Sequence, residues 1–146
     1  MKKQILAVTL LLLGIAFTNQ ILAQQVPVDA VEKAVKADGK YAILVQNPMH
    51  LMASVMTGQE YKAKNKAVQF EIVLIGEVVK DMAESKQLEA TIRKAENSGI
   101  RLVVCEFAMN KLGIKKSQYD TSIHTTPNGF TYLFGLQELG FKTITL

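Results

Sequence analysis

The sequence has one cysteine, two histidines and no glycine-rich loop, and these scarcities narrow the chemistry that it can support. A single cysteine cannot form a disulfide within the chain. Gly76 and Gly99 stand alone, which excludes a loop that cradles the phosphates of a nucleotide. A metal site needs more ligands than this chain offers, so the sequence predicts a protein without a metal or another cofactor.

Long apolar runs and a strong charge of one sign are also missing. No stretch of eighteen apolar residues is present, and such a stretch is what a membrane-spanning helix requires. The net charge of +4 over 146 residues is too small to indicate nucleic-acid binding. With 49% apolar and 21% charged residues, the composition is typical of one globular domain.

The first residues follow the order of a secretory signal peptide. Lys2 and Lys3 supply a positive start, residues 5–17 are mainly apolar, and Ala23 is a small residue before the expected cut. The alternative is a membrane anchor, for which the apolar run is too short. The sequence therefore predicts a signal peptide over residues 1–23 and an exported, periplasmic protein that leaves the membrane after cleavage. Removing the two lysines leaves 15 basic and 13 acidic residues, a net charge of +2.

Short aliphatic stretches alternate with helical patterns along the rest of the chain. This alternation indicates βαβ units, a parallel sheet and right-handed crossovers. We therefore predict a polar lead-in over residues 24–39, with a short helix from Asp29 to Lys36. A single doubly wound α/β domain with four or five mainly parallel strands and flanking helices should follow over residues 40–146. The predicted strands are 41–46, 68–75, 100–105, 122–126 and 141–146, and the helices between them begin near residues 47, 77, 85, 106 and 127.

Helical spacing also suggests which side chains fill the core. Methionine is an adaptable core residue, so the methionines at helical spacing are expected to be core filler. They are Met49, Met52, Met56, Met82 and Met109. In the last helix, the residues expected to point inward are Phe130, Leu133, Phe134 and Leu136.

Cys105 is the candidate functional residue. It ends the third predicted strand and directly precedes a helix, and ligands of open α/β sheets bind outside the carboxyl ends of the strands. The partial positive charge at a helix N-terminus favours a thiolate, which is the reactive form of cysteine. The alternative is a buried structural cysteine, because cysteine is among the residue types most often buried.

Two histidines are candidates for a base beside this thiol. His50 falls in the first turn after Pro48, near the end of the first strand, so it could approach the same sheet edge as Cys105. His124 lies in the least regular segment, shortly before Pro127. An imidazole can accept the proton of a thiol, which makes a pair of Cys105 and His50 chemically attractive. The alternative for each histidine is an exposed or hydrogen-bonded side chain.

The residues around Cys105 form two motifs. The first is an aliphatic strand that ends in Cys105, followed by Met109 and by a Gly-Ile pair at 113–114. The second is a Pro-Asn-Gly turn at 127–129, followed by the segment 136–141 that leads into the last strand. Together these motifs resemble the DsrE/DsrF-like family, which has the YchN-type fold.

The resemblance covers residues 40–146 and implies a domain that assembles as a homo-oligomer, often a trimer or a hexamer. Family members in sulfur metabolism and in tRNA thiolation relays carry persulfide sulfur on a cysteine, and Cys105 matches the position of that cysteine. The resemblance thus implies a sulfur acceptor without a cofactor, and a protein that donates or accepts sulfur. Two features depart from the relays. Phe107 and Ala108 replace Asn and Thr of many members, and the characterised relays are cytoplasmic.

Three hypotheses for the function therefore stay open. In the first, Cys105 carries persulfide sulfur for a partner. In the second, the chain is a non-catalytic oligomeric binding module in which Cys105 is packed at a subunit contact. In the third, Cys105 is a redox-sensing thiol.

Overall fold

The computed structural model describes residues 25–146. Residues 25–34 form one unit with a single short helix, α1 (Val28–Lys33), in which the Lys33 ammonium lies 3.2 Å from the Asp29 carboxylate. This helix ends three residues before the predicted end at Lys36. The predicted signal peptide, residues 1–23, lies outside the described residues.

Residues 35–146 form the second unit, an α/β domain with a five-stranded sheet. In chain order its elements are β1 (Lys40–Val45), α2 (Pro48–Lys64), β2 (Gln69–Leu74), α3 (Val78–Glu84), α4 (Lys86–Asn97), β3 (Arg101–Cys105), α5 (Glu106–Leu112), a 3₁₀ turn (Lys116–Gln118), β4 (His124–Thr126), α6 (Gly129–Glu138) and β5 (Lys142–Thr145). The strand order is β4-β3-β2-β1-β5, and every neighbouring pair is parallel. The predicted doubly wound α/β fold is confirmed.

The direction of the crossovers places helices on both faces of the sheet. Strands β1 to β4 follow one another across the sheet in one direction, so right-handed crossovers put α2 to α5 on the same face. The chain then returns from β4 to β5, which puts α6 on the opposite face, against β1, β2, β3 and β5. Among residues 25–146, no helix is long and apolar enough to cross a membrane.

The three central strands are buried because helices cover both of their faces. Leu44, Ile72 and Val104 have no exposed surface, as expected for aliphatic runs of a parallel sheet. The predicted start of α2 is also present. The side chain of Asn47 accepts the backbone N–H of His50, and Pro48 occupies the first helical position.

Two predictions about the core are right only in part. Met82, Met109, Leu133 and Leu136 are buried as predicted, but five other residues are not. Three methionines predicted as core filler are exposed on α2, and two phenylalanines predicted to point inward are exposed on α6. These five residues are Met49, Met52, Met56, Phe130 and Phe134. Both helices carry apolar residues around most of their circumference, so spacing alone does not show which arc meets the sheet. The buried arcs consist of Leu51, Ser54, Val55 and Gly58 in α2, and of Gly129, Leu133 and Leu136 in α6.

Tyr119 connects the irregular segment before β4 to helix α3. Its hydroxyl donates a hydrogen bond of 2.5 Å to the carbonyl oxygen of Val79. Partial burial of the phenol raises the pKa of Tyr119 to about 12. Because the pKa of an unfolded tyrosine is about 10, folding favours the neutral phenol, and the resulting stabilisation is fully present below about pH 10. It is lost as the pH rises through about 12.

We expect an absorbance titration of the folded protein to contain a tyrosine that ionises near pH 12. In the same titration of Tyr119→Phe the late component should be smaller by one tyrosine. What remains of it belongs to Tyr132, whose pKa is also raised by burial and by its hydrogen bond to Glu71. A late component of undiminished amplitude in Tyr119→Phe would contradict the assignment.

Candidate functional site

Cys105 lies at the carboxyl end of β3, and its side chain faces α6. It is the last residue of β3, the residue before the first turn of α5, and only 5% exposed. Its sulfur accepts a hydrogen bond from the backbone N–H of Gly129, with 3.3 Å between nitrogen and sulfur. Gly129 is the first residue of α6, so the positive end of the helix dipole points at the sulfur. The backbone N–H and the positive end of the helix are thus both directed at the sulfur.

The absence of a side chain at Gly129 allows this close approach. A Cβ atom there would lie 2.6 Å from Cγ2 of Ile75, 3.3 Å from Cγ1 of Val73 and 3.4 Å from Cβ of Cys105. The first of these distances is shorter than a carbon–carbon contact permits. Glycine is therefore the residue that lets the first turn of α6 rest directly on the sheet beside the sulfur.

Asn128 leaves the N–H of Gly129 available to the sulfur. As the cap of α6, its side-chain oxygen accepts the backbone N–H groups of Phe130 at 2.9 Å and of Thr131 at 3.3 Å. Of the N–H groups in this first turn, the one on Gly129 then points to Cys105. The first N–H groups of a helix have no intrahelical partner. Here Asn128 accepts two of them and the sulfur of Cys105 accepts a third.

The start of α5, which follows Cys105, is hydrogen-bonded to residues 125–127, which precede α6. The backbone N–H of Phe107 donates to the carbonyl oxygen of Pro127 at 3.3 Å, and the hydroxyl of Thr125 donates to the carboxylate of Glu106 at 2.6 Å. The side chains of Phe107 and Phe130 remain exposed on these segments. Exposed aromatic residues therefore lie within two positions of Cys105 and of Gly129 in the sequence.

His50 does not form a hydrogen bond with Cys105. The side-chain oxygen of Asn47 accepts the backbone N–H of His50. The side-chain nitrogen of Asn47 is therefore the donor in the 2.9 Å contact with Nδ1 of His50. A neutral His50 ring then carries its proton on Nε2 and has no free nitrogen to accept the proton of a thiol. In addition, α2 lies on the face of the sheet opposite to the Cys105 side chain.

His124 lies on the strand next to Cys105. It begins β4 and is exposed, and in the register of the sheet it is paired with Val103, while Thr126 is paired with Cys105. His124 is therefore displaced by two residues from the position opposite the thiol. Within residues 25–146, no three or more His, Cys, Asp or Glu side chains form a group that could hold a metal ion.

A polar cluster beneath α6 is a feature that the sequence analysis missed. The carboxylate of Glu71, which is 7% exposed, accepts a 2.7 Å hydrogen bond from the hydroxyl of Tyr132 and lies 3.5 Å from the guanidinium of Arg101. Burial, followed by the hydrogen bond to Glu71, raises the pKa of Tyr132. The available signal was one acidic residue inside the run 70–75, whose other members are all apolar.

Two surface clefts lie on the side of the sheet that carries β4. A cleft of about 270 Å³ is lined by α4 and by residues 118–120. A second cleft, of about 250 Å³, is lined by residues 99–102 and 122–124. Cys105 lines neither of these two clefts.

Comparison with known proteins gives a family model and two solved structures of the same fold. The model of the DsrE/DsrF-like family matches residues 39–146. The protein of unknown function MTH1491 from Methanobacterium thermoautotrophicum is 12% identical, with a TM-score of 0.66, over 74% of this chain and 99% of that one. The conserved protein of unknown function BT1422 from Bacteroides thetaiotaomicron is 22% identical, with a TM-score of 0.62, over 77% of this chain and 99% of that one. At these identities the two structures show the fold alone. No curated protein was found to match.

Proposed function

The chain belongs to the DsrE/DsrF-like family, and from this premise we propose that it is an exported persulfide carrier that accepts sulfur on Cys105. The observation that supports the proposal best is the hydrogen bond from the N–H of Gly129 to the sulfur, at the positive end of α6. A thiolate is the attacking species in sulfur exchange. A backbone donor and a helix dipole both stabilise such an anion.

The proposed reaction consists of two sulfur exchanges. After its proton is lost to water, the thiolate of Cys105 attacks the terminal sulfur of a donor persulfide or polysulfide. A bond forms between the sulfur of Cys105 and the transferred sulfur, the sulfur–sulfur bond of the donor breaks, and its electron pair leaves on the donor thiolate. An acceptor thiolate then attacks the transferred sulfur and releases Cys105 as a thiolate. The transferred sulfur keeps its oxidation state, so neither exchange needs a cofactor, an oxidant or a reductant.

Homo-oligomer formation and export are part of the same proposal. Contiguous apolar surface is uncommon on monomers, and Met49, Met52 and Met56, exposed at helical spacing on α2, support a contact between copies of this chain, as in a trimer or hexamer. The basic start and apolar stretch within residues 1–23 support export to the periplasm. Light scattering on the purified chain gives the number of subunits, and fractionation of cells gives the compartment.

A second candidate function is a non-catalytic oligomeric binding module. The burial of Cys105 within the apolar core favours it, because a structural cysteine has the same environment. The two candidates differ in whether the folded protein exposes its thiol to a small sulfur donor.

The test is the intact mass of the purified chain, produced from Gln24 onward, after incubation with polysulfide. We expect the addition of one sulfur atom, located by fragmentation in the peptide that contains Cys105 and removed again by a reductant. The opposite outcome would overturn the proposal and favour the binding module: no added sulfur, together with a thiol that an alkylating reagent modifies only after unfolding.

A further inference from the structure

Helix α6 rests on the sheet mainly through aliphatic contacts, but it also forms one hydrogen bond to each of three strands. The N–H of Gly129 donates to Cys105 of β3, and the side chain of Gln137 donates to the hydroxyl of Thr143 of β5. Leu133 and Leu136 are buried against the strands, where apolar side chains surround them. The hydrogen bond to β2 comes from Tyr132, whose hydroxyl donates to the buried carboxylate of Glu71. Arg101 contacts the other oxygen of the same carboxylate at 3.5 Å.

Aliphatic contacts do not fix the position of a helix along a sheet. Apolar burial is non-directional, so a small slide or rotation of α6 changes the buried area little. A hydrogen bond has a narrow range of length and angle, and its loss would leave the carboxylate of Glu71 buried without the phenol donor. The contact between Tyr132 and Glu71 is therefore the part of this interface that defines where α6 lies on β2.

The same helix and strands position the thiol. Tyr132 follows Gly129 by about one helical turn, so the two residues move together. Arg101 and Cys105 are the first and last residues of β3, and Arg101 is paired with Glu71 in the register of the sheet. A displacement of α6 at Tyr132 therefore changes the distance between the N–H of Gly129 and the sulfur of Cys105.

We propose that Glu71, Arg101 and Tyr132 are positioning residues that hold the N–H of Gly129 on the sulfur of Cys105. They do not contact the reacting sulfur and act through the placement of α6. The consequence for sulfur acceptance rests on the proposed function, whereas the consequence for the hydrogen bond of Gly129 does not.

Tyr132→Phe tests the proposal because it removes the hydroxyl and keeps the ring. We expect the amide hydrogen of Gly129 to exchange with solvent at least about tenfold faster, while that of Ile72 in β2 keeps its rate. Sulfur uptake by Cys105 should slow severalfold in the same variant. Amide exchange followed by nuclear magnetic resonance and the time course of the intact mass give the two values.

Tyr119→Phe is the matched control. It removes another hydroxyl that donates to a single acceptor, the carbonyl oxygen of Val79 in α3, on the other face of the sheet. It should leave both the exchange of Gly129 and sulfur uptake unchanged. Glu71→Gln keeps an oxygen that accepts from Tyr132, so the exchange of Gly129 should be closer to the parent value than in Tyr132→Phe.

Three results would overturn the positioning proposal. They are an unchanged exchange rate of Gly129 in Tyr132→Phe, an equal acceleration in Tyr119→Phe, and an equal acceleration at Ile72. A parent protein that takes up no sulfur, but in which the exchange of Gly129 responds to Tyr132→Phe alone, would refute the proposed function and support the positioning residues.

Discussion

Replacement of Cys105 by serine is expected to abolish sulfur uptake and to leave the domain folded. Serine has nearly the same shape, and its oxygen can accept the N–H of Gly129, so the buried polar atom keeps a partner. A hydroxyl costs more than a thiol to bury in an apolar core, so we expect the free energy of unfolding to fall by about 1–2 kcal/mol. Intact mass after polysulfide treatment measures uptake, and urea unfolding measures stability.

The control for Cys105→Ser is Met82→Leu, which removes a buried sulfur from α3 on the opposite face of the sheet. The thiol is untouched in this variant, so sulfur uptake should equal that of the parent. Persistent uptake in Cys105→Ser would show that the sulfur is added elsewhere. Unfolding or loss of subunit assembly in Cys105→Ser would instead identify a structural cysteine.

Gly129→Ala is expected to destabilise the domain and to slow sulfur uptake, although alanine is the better helix former. The new Cβ would lie 2.6 Å from Ile75, so the start of α6 must move away from the sheet and from Cys105. Overpacking of this kind costs about 1–3 kcal/mol, against a gain of up to about 1 kcal/mol in helix propensity. Urea unfolding and the rate of sulfur uptake should both show the change.

Gly135→Ala separates crowding from helix propensity. Gly135 lies in the same helix and is exposed, and an added Cβ there would meet no atom within 4 Å. This variant should gain about 0.5–1 kcal/mol of stability and keep the parent rate of sulfur uptake. Equal behaviour of Gly129→Ala and Gly135→Ala would refute the role assigned to the close approach of α6.

The strands and the place of Cys105 could be predicted because their signals are local. The run that ends in Cys105 is continuous in aliphatic residues, as burial on both faces requires, and a helix start follows it at once. The order of strands and helices along the chain then fixed a doubly wound sheet. The arc of α2 that meets the sheet was harder to predict. Leu51, Val55, Met52 and Met56 are all apolar, and spacing alone does not show which of them are buried.

The environment of the thiol depends on contacts between residues distant in sequence. The hydrogen bond from Gly129 to Cys105 spans 24 residues, and that from Tyr132 to Glu71 spans 61. No local pattern encodes either of them. The sequence predicts a helix start near residue 47, but only the geometry shows that the Asn47 side chain both caps α2 and engages the ring of His50. For that reason, pairing His50 with Cys105 looked plausible from the sequence, whereas the structure gives each residue a different partner.

The return of the chain from β4 across the sheet also has a consequence for the order of folding. β1 to β4 can pair in the order in which they are made, but β5 must close on β1, the most distant strand in the sequence. Contacts of such long range form late, because the entropy of a large loop is lost before they contribute. α6 lies within that closing segment, so we expect the thiol to acquire its N–H donor only when this segment docks on the sheet. Before that step, α6 does not cover Cys105, and the thiol is exposed to solvent.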